Sequence, residues 1–509
     1  MAPPADIVFT DAAVHTMTDP DRTAEAVAVR DGRVVRVDSA YEVEFLVGAE
    51  TEVVSLDDRP LLPGFVDAHT HMQQLGQYQV HADLSAATDL ADALDRLRGS
   101  AAPDSEWILG FGYDESEWPE REYPTREDLD RVSEDRPVAA VRVDMHSATL
   151  NSVALERLGE DLPDDHVETE GGDPTGIVVE TAAEAVWAAI EPDLAETREL
   201  VRAAIDYAHE HGVTAVHDMV RNSEAPRVYR EMDRDDDLSL RVRINYWTDH
   251  LDAMTELGLR TNHGSEFVRT GAMKTYTDGS IGSRTARVAD AYEDAPGETG
   301  TWVVDPDALA DIVGSATDAG YQVAAHAIGD VAVETVLDTY EGRPGDRHRV
   351  EHAELAADEA IERFADVGAV ASMQPNFLEW AEEGGMYDDR LGPERRRRAD
   401  RFRRFLDAGV PLAFGSDCMP MDPLYGIDLA VNAPTEAQRL SVTEALRAYT
   451  YGGAYAGFDE DRMGTVEPGT VADFVVLEQS PWEHPAAIAD IPVAMTVVDG
   501  EIVYDGRND

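Results

Sequence analysis

The stretch Leu62-Pro-Gly-Phe-Val-Asp-Ala-His69-Thr-His71 grows out of an apolar run of strand length at residues 61–66. On an extended chain, residues two apart face the same side, so the imidazoles of His69 and His71 can reach one ion. Seven more runs of strand length follow, at residues 213–216, 240–246, 272–276, 323–325, 349–350, 370–373 and 411–414. Helix-like segments separate most of them, including 197–210, 306–319 and 395–408. Eight strands alternating with helices is the arithmetic of a (β/α)8 barrel, in which reactive groups stand at the C-terminal strand ends.

The rest of the chain fits around that barrel. Residues 67–212 are far longer than an ordinary βα loop and contain strand-like runs at 107–111, 138–143 and 177–179 with a helix-like stretch at 182–190. They read as an inserted α+β subdomain over 74–199, either shaping substrate access or serving as a structural embellishment. Both ends of the chain carry short β-type runs broken by turns such as Asp31-Gly32 and Asp499-Gly500. Residues 1–60 and 463–509 therefore read as one composite β-sandwich domain, and 61–73 with 200–462 as a distorted barrel. The four-arginine run at 395–398 reads as a solvated helix face.

Composition narrows the function class. Lys+Arg total 42 against Asp+Glu 103, a net charge of −61, so phosphate backbones and anionic leaflets would repel the chain. With 43% hydrophobic residues it is not a disordered acidic protein. So large a negative surface opposes folding at low ionic strength and is screened in molar salt, which points to a halophile's cytoplasmic, haloarchaeal protein. Cys418 is the single cysteine and allows no internal disulfide. Neither a leader-like N-terminus nor a long apolar span is visible, and a homodimer is the simplest assembly to expect.

The other strand ends carry the chemistry. Lys274, His326, His352 and Asp417 fall at the ends of the fourth, fifth, sixth and eighth strands, and the histidine pair at the first. Four histidines, a carboxylate and a lysine form a nest for one or two divalent cations, most naturally zinc. Lys274 is the only lysine in the chain. A deprotonated amine can take up CO2 to form an anionic carbamate, a route closed to arginine. The competing reading makes Lys274 a lone salt-bridge partner.

These motifs, with Ala215-Val-His217-Asp218, Lys274-Thr-Tyr-Thr-Asp278-Gly279-Ser280, His326-Ala-Ile-Gly-Asp330, Val350-Glu351-His352, Ser372-Met-Gln374-Pro375 and Gly464-Thr-Val-Glu-Pro-Gly469, resemble the amidohydrolase superfamily. Within it they are similar to the amidohydrolase-3, or YtcJ-like, metal-dependent hydrolases. The resemblance implies a metal centre in which His69, His71 and Asp417 hold one ion, His326 and His352 a second, and carboxylated Lys274 lies between them. It implies hydrolysis of a C–N bond in an amide, formamide or cyclic amide of a small molecule by a metal-activated hydroxide, with Asp417 as proton shuttle. His146, His217, Asp218, Asp278 and Gln374 are the candidate substrate-binding residues. Asp114 and Trp118 are weaker candidates that loop packing explains equally well. An ester or other non-amide bond, or a non-catalytic scaffold of this fold, are the alternatives.

The charge balance yields the first testable outcome. Unfolding followed against KCl should show stability rising steeply toward molar salt; full stability in dilute buffer would overturn the halophile reading.

Overall fold

The computed structural model describes residues 3–101, 105–143, 146–343 and 347–508. Its centre is an eight-stranded, all-parallel sheet: β1 (Phe65–Thr70), β2 (Val213–Val220), β3 (Arg241–Trp247), β4 (Val268–Tyr276), β5 (Val323–Ala327), β6 (Arg349–His352), β7 (Val370–Met373) and β8 (Leu412–Phe414). Neighbours in sequence are neighbours in the sheet, the topology of a distorted (β/α)8 barrel. The strands are buried almost throughout, as expected when side chains fill one face and helices cover the other.

The covering helices follow their sequence signals. The helix Pro306–Asp318 starts with Asp305 accepting a hydrogen bond from the Asp307 amide and with proline in the first turn. It buries Leu309, Val313 and Ala316, a spacing that forms one stripe. The helix Asp358–Val367 ends at Gly368, whose φ of 71° is the left-handed conformation glycine adopts without a Cβ penalty.

Three sequence expectations are corrected. The run at 61–66 is not one barrel strand, because Pro60–Pro63 pairs instead with Ala13–His15 and Phe474–Leu477. The handover occurs at Gly64: its amide donates to Asp473 O (2.9 Å), whereas the next amide, of Phe65, donates to Gly212 O (3.0 Å) on the barrel side. A Cβ at residue 64 would lie 2.2 Å from Thr214 Oγ1, so the crossing needs glycine. The expected helix at 395–408 is likewise interrupted: one helical segment, Met386–Arg396, itself broken at Gly392 (φ 76°), ends before a separate helix, Phe402–Asp407. The chain turns between them at Asp400, which has a φ of 53° and whose amide donates to Glu354 O at 2.9 Å. Nor is the arginine run fully solvated: Arg395 donates to Asp290 O and Ala291 O, and the buried Arg396 donates to Ala381 O (2.9 Å).

The terminal domain is a sandwich of a four-stranded sheet, built from residues 7–55, and a six-stranded sheet that combines segments from both ends of the chain. Phe9, Val27, Val29, Leu61, Phe474 and Met495 share its core, and the Phe9 and Phe474 rings meet edge to face at 5.7 Å. Residues 72–204, together with 223–228, form a second compact unit. Its six-stranded sheet is covered by one cluster around Phe111, Leu150 and Val186 and another around Leu97, Trp118 and Leu129. No helix among the described residues is long and apolar enough to cross a membrane.

The barrel closes between β1 and the turn after β8. Asp67 Oδ1 accepts from the amides of His69 (3.0 Å) and Ser416 (3.1 Å), and its Oδ2 accepts from the Ser416 hydroxyl. The Asp417 amide donates to His69 O at 2.7 Å, and a Cβ on Gly415 would come within 2.4 Å of His69 N. Asp67→Ala would leave three buried donors unsatisfied and should lower unfolding free energy by about 3 kcal/mol. Asp67→Asn keeps an acceptor for both amides and should lose less, as read by denaturant titration at fixed salt.

Candidate metal centre

The closed barrel brings together residues separated by most of the chain. Donor atoms of His69 on β1, His352 at the end of β6 and Asp417 after β8 lie within 4.8 Å of one another. His71 joins them, its Nε2 3.2 Å from Asp417 Oδ1 and that of His69 3.6 Å from the same oxygen. The His326 and His352 rings are 4.5 Å apart and those of His69 and His352 4.9 Å. Both His352 (φ 72°) and Asp417 (φ 53°) sit in left-handed backbone, a strained conformation of the kind that collects at functional sites.

Hydrogen bonds on the far side of each ring decide which nitrogen is free. His69 Nδ1 donates to Glu351 Oε2 (2.7 Å), and His71 Nδ1 donates to Met219 O (2.9 Å), leaving both Nε2 lone pairs toward Asp417. His326 is turned the other way: its Nε2 donates to Gly279 O (3.1 Å), and its Nδ1 is buried without a partner. His352 Nδ1 is also buried and unpartnered. Unsatisfied, desolvated imidazole nitrogens grouped with a carboxylate fit a divalent cation.

The electrostatics suit the same occupant. Burial, aided by the nearby Lys274, holds His69, His326 and His352 well below the ordinary imidazole range, so all three are neutral as metal ligands must be. Burial alone would raise Asp417, but His69, His71 and Lys274 overcome it and bring its carboxyl down to about 2. Lys274 on β4 is fully buried, and burial lowers it to about 8 against the pull of Glu351 and Asp417. Its Nζ lies 3.2 Å from His69 Nε2, so its hydrogen-bond partner is an imidazole and not the carboxylate a salt-bridge reading required.

The candidate substrate contacts scatter. Gln374 is buried beside His352, with its Oε1 unpartnered. Asp218 accepts from the Tyr229 hydroxyl at 2.8 Å. Asp278 is fully buried, and its carboxylate accepts from the amides of Arg287 (2.7 Å), Ile328 (3.1 Å) and Gly329 (2.9 Å). It therefore orders the loops after β4 and β5, which accounts for its carboxylate without a substrate. His217 Nδ1 accepts from the Arg349 guanidinium at 2.8 Å. His146 is exposed in the second unit, 3.9 Å from Glu180; its motif neighbours 144 and 145 lie outside the described residues. In the same unit the Asp114 carboxylate accepts from the Ser116 amide (3.0 Å), and the buried Trp118 donates to Ala87 O (2.9 Å), contacts within the second unit. Cys418 is buried and free, its thiol pushed well up by burial.

Sequence reasoning did not single out Asp67, Arg349 or Glu351 as site residues. The signal for the last two was present: Arg349-Val-Glu351 alternates on a strand, which puts two opposite charges on one inward face.

Comparison with known proteins agrees with this geometry. A family model described as "Amidohydrolase family" matches residues 52–504. YtcJ of Bacillus subtilis is 32% identical, covering 97% of this chain and 98% of its own. The N-substituted formamide deformylase of Arthrobacter pascens is 26% identical over 98% of both chains. The crystal structure of an uncharacterized metal-dependent hydrolase from Pyrococcus furiosus superposes with a TM-score of 0.81 at 29% identity, covering 94% of this chain and 99% of that one.

A Lys274→Arg variant tests the centre directly. Metal analysis after reconstitution with Zn2+ should show less bound metal than in the unaltered protein, together with loss of hydrolysis. A fully active variant with unchanged metal content would remove Lys274 from the centre.

Proposed function

We propose that this chain, which belongs to the amidohydrolase family, hydrolyses a C–N bond of a small-molecule amide, formamide or cyclic amide at the centre formed by His69, His71, Lys274, His326, His352 and Asp417. The observation that carries the reading is the convergence of neutral, desolvated imidazoles on an ionised carboxylate at the C-terminal end of the barrel. The formamide deformylase at 26% identity supports the choice of bond.

A divalent ion held by His69, His71, His326, His352 and Asp417 would supply Lewis acidity for the carbonyl and for a nucleophilic water. A donor set of two histidines and a carboxylate, as His69, His71 and Asp417 offer, suits zinc. The protein does the rest. Glu351 and Met219 O hold His69 and His71 in the tautomers that present Nε2. Asp417, anionic at neutral pH, accepts the proton of the attacking water and delivers it to the departing nitrogen as the C–N bond breaks, so the products are a carboxylic acid and an amine. Lys274 at about 8 keeps a neutral fraction able to take up CO2, which supports a carbamate at this position. Gln374, with its unpartnered oxygen beside His352, is the substrate contact of first choice among the sequence candidates.

Purified protein loaded with Zn2+ should release formate or amine from N-substituted formamides or cyclic amides, and a matched ester panel provides the contrast. Turnover of esters alone would overturn the C–N assignment. Asp417→Asn should lower kcat by roughly 10²–10⁴-fold with the unfolding midpoint retained; an unchanged kcat would remove Asp417 from proton transfer.

A further inference from the structure

Beneath the metal nest the barrel interior holds a buried charge pair that touches four strands. Arg349 and Glu351, both on β6, are fully buried. Arg349 Nε lies 2.7 Å from Glu351 Oε1, and its Nη2 donates to Oε2 at 3.1 Å. Nη2 shares its two hydrogens among Oε2, Ser372 Oγ on β7 (2.9 Å) and Ala68 O on β1, and Nη1 donates to His217 Nδ1 on β2 (2.8 Å). The carboxylate oxygen gripped by Nη2 is the one that accepts from His69 Nδ1. A guanidinium is a rigid planar fork, so fixing its outer nitrogens on β1, β2 and β7 fixes the position of that oxygen.

We propose that Arg349 is a positioning residue for the metal centre: it aims Glu351 at His69, and His217, by accepting from the outer guanidinium nitrogen, locks Arg349 in that aim. The role of His217 is then mechanical, exerted through two intervening side chains. Because Nδ1 is the acceptor, the neutral ring carries its proton on Nε2, and a side chain of another kind could replace it provided that it offers an acceptor at the same place. Arg349 also balances the Glu351 charge, so the carboxylate can serve His69 without leaving an uncompensated buried anion.

The inference rests on the proposed metal site, and its test separates the two. Zn2+ affinity is measured by competition with a chromophoric chelator for the full-length protein and for Glu351→Gln, His217→Leu and His217→Asn, with thermal unfolding of each metal-free form alongside. Loss of an outer partner of a metal-bound histidine typically weakens affinity 10–100-fold, and Glu351→Gln should fall in that range. His217→Leu should weaken binding by about 10-fold, and His217→Asn, whose amide oxygen can replace Nδ1 as acceptor, should recover to within about 3-fold of the parent. Equal affinity of the leucine variant and the parent would overturn the proposal. So would equal losses in the leucine and asparagine variants, or a fall in apo stability with no change in affinity, which marks a merely structural role. Failure of the parent itself to bind Zn2+ would overturn the metal reading first.

Discussion

The seam between the first and last barrel strands is the constraint on which the rest of this molecule depends. Asp67 on β1 binds the backbone and hydroxyl of Ser416 across 349 positions of sequence, and the next amide, of Asp417, bonds back to His69 O. Of the six ligand candidates, His69 and His71 stand on one side of this seam and Asp417 on the other, so these three meet only where the sheet closes. Gly415 permits the approach because a side chain there would strike the His69 backbone. The strained backbone at Asp417 is held by the same hydrogen bonds that shut the barrel.

Charge is distributed with a clear division of labour. Against the net charge of −61, three buried arginines pair with carboxylates: Arg349 with Glu351, Arg243 with Asp459 and Arg241 with Asp473, each arginine at most 5% exposed. In all three the cation is arginine, whose fork satisfies a buried carboxylate in fixed geometry. Lys274 differs in kind, since its environment lowers its affinity for the proton and its partner is an imidazole. The single lysine is buried where charge is disfavoured, and arginine stands where a carboxylate is paired.

Much of the candidate ligand set was legible in the sequence because a barrel converts strand order into spatial order. His69, Lys274, His326 and His352 could be placed once eight strands were counted, without knowledge of any contact. The failures share a cause. The run at 61–66 is continuous in hydrophobicity but is divided between two sheets by one glycine, and periodicity does not register that division. The break at Asp400 depends on a hydrogen bond to Glu354, far away in sequence. For Asp278 and His217 the residue type was informative, yet their partners, three backbone amides and a guanidinium, come from strands and loops that meet only in three dimensions.

By itself, then, the sequence determined the architecture and named the candidates for the site: alternating strand and helix periods, strand-end histidines, one lysine and an aspartate after the eighth strand. These are local or countable properties, fixed by the period of a strand and by the rule that functional groups gather at one end of a parallel barrel. Tertiary structure alone decided the arrangement of those candidates. It selected which nitrogen of His69, His71 and His326 is free, set the titration of the buried Lys274 and Asp417, and placed His217 against Arg349. Those properties depend on hydrogen-bond partners and desolvation, which residues distant in sequence impose on one another only when the barrel closes.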